Sequence, residues 1–203
     1  MGDEPNKNKV GRKKLWRRFL SDNRGAAALE FAFVVPFLLL IYLLAMEFSL
    51  AIEVNKKVSR VASQIADLVT QQPSISTGDL QSIMRIGESS LQPFRGDPTM
   101  TVTAIEVTKD STPQARVVWS RMWDGNLMQQ AVTPGSRAEI PDALMVPGAF
   151  LIRSETNLQY KPVIAPEGGS GILGISDNMF PIDMSELYYM QPRMTHWIEC
   201  KDC

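Results

Sequence analysis

A run of apolar residues near the N-terminus constrains this chain more than any other feature. No charged residue occurs from Phe31 to Met46, and the apolar character extends to about 26–50 with two carboxylates, Glu30 and Glu47, near its ends. A helix of roughly 20 apolar residues crosses the roughly 30 Å hydrocarbon core of a bilayer. The run therefore predicts a single transmembrane crossing, and the question it raises is why it contains Glu30.

The charges are distributed unevenly around this run. Eight basic residues precede it, against three acidic ones, although the whole chain of 203 residues has a net charge of −1. A basic flank marks the cytoplasmic side of a membrane helix. We therefore expect residues 1–25 to form a basic cytoplasmic leader and the acidic remainder to be exported to the far side of the membrane. A basic cluster confined to this arm argues against a nucleic-acid-binding domain.

The helical pattern continues beyond the apolar run. No glycine lies between Gly25 and Gly78, and Pro36 is the only proline before Pro73. Apolar residues recur at spacings of three and four, which is typical of an amphipathic helix: Val54, Val58, Val61, Ile65 and Leu68. The sequence predicts one helix over 26–72, about 70 Å long at 1.5 Å per residue. We expect Pro36 to kink it, because proline removes one backbone donor.

Residues 73–203 have the pattern of a small α+β domain. Ser76 or Thr77 is placed to cap a second helix that ends near Leu91. Three later segments have the composition of strands separated by glycine and proline, so the sheet is expected to be antiparallel: 100–108, 115–123 and 149–160. The segment before Pro192 is expected to add an edge strand, after a loop with the sequence APEGGSGILG.

Alternation along the strands predicts which side chains share a face. On the second strand we expect Val117, Trp119, Arg121 and Trp123 to lie together. On the third strand the expected face consists of Ile152, Ser154, Thr156, Leu158 and Tyr160. Both assignments assume a strict period of two along each strand.

Two cysteines, Cys200 and Cys203, form a C-x-x-C pair. In an exported domain a local disulfide is the preferred interpretation. A redox role would favour a pair at the start of a helix, and a zinc site would need two further ligands, of which His196 is the only histidine. Redox and zinc functions remain the less favoured alternatives.

No catalytic or cofactor-binding motif accompanies these features. The glycine-rich loop lacks the Lys-Ser/Thr of a phosphate-binding loop, because Ile172 follows Gly171. His196 has no serine or cysteine nucleophile signature beside it, and the loop aspartates lack calcium-site spacing. We predict no catalytic residue, no metal, no cofactor and no small-molecule substrate. An enzyme is kept as an alternative that would require a cleft with paired titratable groups.

Three interpretations compete for the stretch RGAAALEFA at 24–32. A secretory signal peptide cut near Ala51 is disfavoured, because the helical pattern continues past that point. An uncleaved anchor displaying an exported protein-binding module would leave Glu30 as a carboxylate near the membrane edge. Alternatively, Gly25 marks a cleavage point, and the new amino group on Ala26 supplies the cation that Glu30 needs in low dielectric.

The third interpretation rests on a resemblance. A basic arm, Gly25, and then Glu30 and Phe31 resemble the type IV prepilin signal, in which a membrane aspartyl peptidase cuts after the glycine and the glutamate is the fifth mature residue. The longer stretch RGAAALEFAFVVPFLLLIYLLAMEFSLAI, with Pro36 and Glu47, resembles TadE-like pseudopilins of the tight-adherence (Tad, or Flp) pilus system. The later ELYYMQPRM is similar to the ending of that family, with Gln191 where a basic residue is expected.

The resemblance implies a type IV pilin-like fold and a non-enzymatic role. The chain would be a minor pseudopilin or assembly factor, cleaved after Gly25 and anchored in the bacterial inner membrane. Its partners would be other pilins or pseudopilins, the prepilin peptidase, and the inner-membrane platform or secretin of the system. The longer TadG-like relatives carry a von Willebrand A-type domain, whose metal signature is absent from this sequence.

Glu47 has two interpretations. Seventeen residues after Glu30 place it about 26 Å further along a straight helix, at the opposite membrane edge. Contact with interfacial water is the simpler expectation, and a specific assembly contact between subunits is the alternative.

Overall fold

The computed structural model describes residues 25–93, 96–162 and 182–203. Its N-terminal helix, α1, covers Ala26–Thr70 and keeps Pro36 within it. The predicted long helix is therefore confirmed and ends two residues earlier than expected, whereas the kink at Pro36 stays a prediction. The predicted leader before Gly25 and the loop APEGGSGILG lie outside the described residues.

A small α+β domain follows α1, as predicted. Its elements are β1 (Ser74–Ile75), α2 (Thr77–Leu91), β2 (Thr99–Val107), β3 (Ala115–Trp123), β4 (Met128–Gln130), a 3-10 turn (Asp142–Leu144), β5 (Phe150–Tyr160), β6 (Ile182–Met190) and β7 (Glu199–Cys200). Five strands form an antiparallel sheet in the order β4-β3-β2-β5-β6, so β6 is the edge strand expected before Pro192. β1 and β7 form a separate parallel pair.

The start of α2 is fixed by a capping box. The Ser76 hydroxyl accepts a hydrogen bond from the Asp79 N–H at 3.2 Å, and the Asp79 carboxylate accepts one from the Ser76 N–H at 3.0 Å. These bonds satisfy amides that would otherwise lack partners in the first turn. Of the two predicted capping residues, Ser76 is the one used. Its hydroxyl, followed by its N–H, also lowers the pKa of the Asp79 carboxyl.

The main core lies between one face of the sheet and the two helices. The second part of α1 and the inner face of α2 supply buried side chains, and so do β2 and β5. The principal members are Val54, Val58, Val61, Ile65, Val69, Leu80, Met84, Met100, Val102, Ile152 and Leu158. All five residues of the face predicted on β5 are buried there, including Ser154 and Thr156.

The apolar stripe of α1 differs from the prediction at its end. Leu68 was expected to close the stripe but is 36% exposed, and Val69 is fully buried instead. Ile65 and Val69 are four residues apart, so they lie on the same face of the helix. The sequence offers apolar residues at both positions, and only packing against the sheet distinguishes them.

The face predicted on β3 is divided by a β-bulge. Ala104 pairs with Trp119 and Ile105 pairs with Val117, which leaves Val118 as an extra residue. A bulge reverses the alternation of side chains beyond it. Trp119 therefore joins the core beneath the helices, whereas Val117 joins a second cluster on the opposite face of the sheet. The prediction that Val117 shares a face with Trp119 was wrong because it assumed uninterrupted alternation.

The second cluster is covered by the connection between β4 and β5. Its buried members come from β2, β3, β5 and that connection: Ile105, Val107, Ala115, Val117, Ala138 and Leu151. The connection follows the edge of β3, where the Ala138 N–H donates to the Ala115 carbonyl at 2.9 Å. Both faces of this end of the sheet are therefore packed.

The chain divides into two units between Met46 and Glu47. The boundary lies inside α1, so the later part of this helix belongs to the same unit as the sheet. This boundary differs from the predicted start of the domain at residue 73, because buried side chains from Val54 to Val69 contribute to the domain core.

Candidate processing and assembly segment

The proposed cleavage point lies directly before α1. Gly25 is exposed, and a Cβ atom added to it would meet no other atom within 4 Å. Ala26 is the first residue of α1.

Glu30 and Phe31 lie in the second turn of α1, and both are exposed. Phe31 is 70% exposed. Glu30 is four residues after Ala26, so its Cα is about 6 Å further along the helix axis. Within the described residues, the structure places no hydrogen-bond or ion-pair partner at Glu30.

The helix surface from Leu29 to Met46 is apolar and uncovered. Only Val35 in this segment is partly buried, and large side chains such as Phe33 (74%) and Tyr42 (64%) are mostly exposed. α1 is long and apolar enough to cross a membrane, and none of its most apolar window is buried by described residues. An exposed apolar surface on this scale is typical of segments that contact lipid or other apolar surfaces.

Glu47 has a different environment from the one expected at a membrane surface. It is only 9% exposed, and its Oε1 accepts a hydrogen bond of 2.6 Å from the hydroxyl of Tyr160. Tyr160 is the last residue of β5 and is 1% exposed. The contact joins residues 113 positions apart in the sequence. Glu47 therefore attaches the helix to the end of a central strand, and interfacial water does not surround it.

The environment of Tyr160 keeps its hydroxyl protonated. Burial raises the pKa of this phenol above its ordinary value, and the hydrogen bond to Glu47 and the negative charge of that carboxylate raise it further. A phenol held neutral beside a carboxylate is a hydrogen-bond donor over the whole physiological pH range. Sequence analysis placed Tyr160 on the correct face of its strand but did not identify it as the partner of Glu47.

The segment similar to the family ending contacts the later part of α1. The Tyr188 hydroxyl lies 2.7 Å from the Ser59 hydroxyl, and Asn55 donates to Glu186 at 3.4 Å. Beyond β6, Arg193 forms an ion pair of 2.6 Å with Asp67. Strand β6 and the residues directly after it are thus neighbours of the later part of α1 in the domain.

Cys200 and Cys203 are joined by a disulfide bond, with their Cα atoms 5.4 Å apart. Asp202 is close enough to both sulfur atoms to form a possible ligand group with them. Because both sulfurs are in the disulfide, neither is a thiolate, which is the form that binds metal. The disulfide is a covalent link within the C-terminal segment.

Two grooves on the domain bear on the alternative of an enzyme. One, of about 450 Å³, lies between α2 and the end of β3, where Glu88 accepts a hydrogen bond of 3.0 Å from the Trp123 indole. The other, of about 530 Å³, lies between α1 and α2 and is lined by Leu68, Ile83 and Ile86, among others. Arg85 and Glu88 are the charged residues that line the first groove, and Asp67 is the charged residue that lines the second. Neither groove has a histidine or cysteine among its described lining residues.

The large aromatic residues of the domain divide between its core and its surface. Trp119 and Trp123 are each 4% exposed, whereas Trp197 is 43% exposed and packs against Phe150 with ring centroids 4.8 Å apart. Tyr188 and Tyr189 are partly buried. Their contacts are structural, with α1 and with the β4-β5 connection.

Comparison with known proteins finds one family match, which lies in the N-terminal helix. The family model for TadE-like proteins matches residues 25–67, about a fifth of the chain, beginning at Gly25 and ending within the buried part of α1. No curated protein and no solved structure matches the chain. The resemblance predicted from the sequence is confirmed over this segment, which is similar to the TadE-like proteins.

Proposed function

We propose that this protein is a minor pseudopilin or assembly factor of a Tad/Flp-type pilus, without catalytic activity. The observation that carries the proposal is the contrast within α1: apolar side chains before Glu47 are exposed, whereas those from Val54 onward are buried in the protein's own domain. This contrast supports a helix whose first part is available to lipid and to other apolar helices. The domain then remains folded while that first part exchanges partners.

The proposal includes a membrane topology for the chain. The basic arm before Gly25 lies in the cytoplasm, the first part of α1 crosses the bacterial inner membrane, and the domain lies in the periplasm. The partners are other pilins or pseudopilins and the inner-membrane platform or secretin of the Tad system. The TadE-like match and the uncovered apolar helix support membrane association.

Processing occurs by hydrolysis of the peptide bond between Gly25 and Ala26. Water adds across this bond, leaving a carboxyl group on Gly25 and a free amino group on Ala26. The enzyme is the prepilin peptidase of the pathway. The exposure of Gly25 and the open space around it are compatible with peptidase access.

Intact mass and N-terminal sequencing of the native protein test the processing step. A chain that begins at Ala26 is expected, and Gly25→Leu is expected to abolish cleavage by placing a bulky side chain at the cut. Gly11→Leu is the matched control, because it makes the same change within the basic arm and should leave cleavage intact. An unprocessed native chain in a strain with an active peptidase would reject processing and favour an uncleaved anchor displaying a binding module.

Glu30 guides assembly by pairing with an amino terminus created by cleavage. A carboxylate in a low-dielectric environment favours a cationic partner strongly, and within the described residues it has none. Phe31 and its apolar neighbours supply the lateral contacts between helices. Glu47 contributes indirectly, because its bond to Tyr160 fixes the helix to the domain at the end of the exposed segment.

Glu30→Gln tests the assembly role separately from processing. Cleavage is expected to continue, whereas recovery of pili or of the assembled complex falls about tenfold, since the lost charge pair is worth on the order of 1–3 kcal/mol. Glu53→Gln serves as the control, because Glu53 is an exposed carboxylate in the same helix that pairs only with Lys57 in the described structure. Unchanged assembly of the Glu30 variant would remove this role while leaving the TadE-like assignment in place.

A further inference from the structure

The last residues of the chain form a compact structure that holds two distant parts of the domain. We call residues 198–203 the C-terminal clasp. Ile198 is fully buried, and its carbonyl accepts a hydrogen bond of 2.9 Å from the Trp119 indole. The Lys201 N–H donates to the Ile75 carbonyl at 3.0 Å, which extends the short parallel pairing of β1 with β7.

The end of the clasp reaches both the first turn of α2 and strand β3. Asp202 Oδ1 accepts a hydrogen bond of 2.7 Å from the Thr77 N–H. Arg121, on β3, donates to the Cys203 carbonyl at 2.7 Å. The first four N–H groups of a helix have no partners within the helix, and a carboxylate at this end also complements the helix dipole. Asp202 therefore adds to the capping box formed by Ser76 and Asp79.

Asp202 lies within the loop closed by the disulfide between Cys200 and Cys203. The Cα atoms of the two cysteines are 5.4 Å apart, and a bond between them restricts the backbone of the two residues enclosed. Both cysteines pack against the main core, so the closed loop has a fixed position relative to β7. The side chain of Asp202 is exposed, and without this restriction its carboxylate would have many competing orientations in water.

We propose that the redox state of the Cys200–Cys203 disulfide controls the stability of the first turn of α2. The disulfide acts through Asp202, which it holds in position to cap that turn. In the oxidised protein, the closed loop holds the Asp202 carboxylate on the Thr77 N–H. A dithiol reductant opens it by thiol–disulfide exchange: two electrons pass to the protein disulfide, which becomes two thiols, and the reductant becomes a cyclic disulfide. The clasp then loses its orientation and the first turn of α2 loses one of its caps.

Amide hydrogen exchange on the full chain in detergent micelles, followed by NMR, tests this proposal. Reduction with dithiothreitol is expected to accelerate exchange of the Thr77 amide roughly tenfold, the scale expected for opening a small disulfide loop. Asp202→Ala in the oxidised protein should accelerate it by a similar factor. Reduction of the Asp202→Ala protein should then add less than about twofold, since both changes remove the same cap.

Two controls separate this mechanism from general loosening. The Met84 amide, in the buried middle of α2, should keep its exchange rate in all four states. Lys201→Ala, which alters the other enclosed residue and leaves Asp202 in place, should retain the full response to reduction. The proposal is overturned if reduction leaves the Thr77 rate unchanged, if the two effects multiply, or if Met84 accelerates as much as Thr77, because the disulfide would then stabilise the whole domain.

Discussion

The hydroxyl of Tyr160, at the end of β5, donates a hydrogen bond of 2.6 Å to the Glu47 carboxylate in α1. Both side chains are nearly or fully buried, and they belong to segments separated by more than half the chain. Glu47 is predicted at the far edge of the membrane segment, and in the structure it is the first residue of the second compact unit. The same side chain therefore ends the apolar run and begins the domain.

Tyr160→Phe is expected to lower the free energy of unfolding by about 1–3 kcal/mol, because it leaves a buried carboxylate without this donor. Tyr188→Phe is the matched control and should cost less, about 0.5–1 kcal/mol, since its hydroxyl meets Ser59 at a partly exposed site. Chemical denaturation of the full chain in detergent would compare them. Equal losses would mean that burial of the pair contributes nothing beyond an ordinary hydrogen bond.

The same tyrosine predicts a dependence of stability on alkaline pH. Its pKa in the folded protein lies above the ordinary value of 10.0. Above pH 10 the unfolded chain releases the phenolic proton while the folded chain keeps it, so the free energy of unfolding falls as pH rises. This contribution is fully present below pH 10. In Tyr160→Phe the fall between pH 10 and 12 should be shallower than in the wild type, and parallel curves would contradict the prediction.

At the level of elements, the position of α2 depends on a glycine. A Cβ atom added to Gly87 would lie 3.0 Å from Val61 and 3.2 Å from Ile65 of α1, and 3.3 Å from Met100 of β2. The glycine thus permits a close approach of α2 to both α1 and the sheet. No periodicity in the sequence indicates this, because glycine inside a helix pattern otherwise only weakens the helix.

Gly87→Leu is expected to destabilise the domain by about 1–3 kcal/mol through overpacking. Gly78→Leu makes the same change in the same helix at an exposed position, where the only atom within 4 Å of an added Cβ is the Ser76 hydroxyl, at 3.8 Å. There leucine should be neutral or stabilising by up to about 1 kcal/mol, because it has the better helix propensity. Thermal unfolding of both variants tests the difference, and a tolerated Gly87→Leu would show that the helix can move away.

For the whole molecule, the exposed apolar surface before Glu47 predicts dependence on a bilayer. Leu38→Arg places a charge in the middle of that segment and should disfavour insertion by about 2.5–3.5 kcal/mol. Leu127→Arg is the control, because Leu127 is 65% exposed in the domain and its replacement should leave insertion unchanged. Fractionation of cells followed by alkaline extraction measures both. Full retention of the Leu38 variant in the membrane would argue against a spanning role for this segment.

The sequence by itself determined the features that depend on local pattern. Hydrophobic periodicity predicted α1, and proline and glycine residues indicated where the strands are separated. The apolar stretch at 24–52, with Gly25, Glu30, Pro36 and Glu47, indicated the resemblance to TadE-like proteins. These properties are local because helix length, strand alternation and a cleavage motif are each encoded within about 50 consecutive residues.

Only the tertiary structure decided which of these residues meet. The bulge at Val118 reversed the expected face of Val117, Val69 replaced Leu68 in the core, and Tyr160 became the partner of Glu47. Each outcome depends on contacts between residues distant in sequence, where several arrangements have nearly equal local propensity. Packing of the later part of α1 against the sheet selects among them, and this is why the sequence predicted the elements and the tertiary structure assigned their contacts.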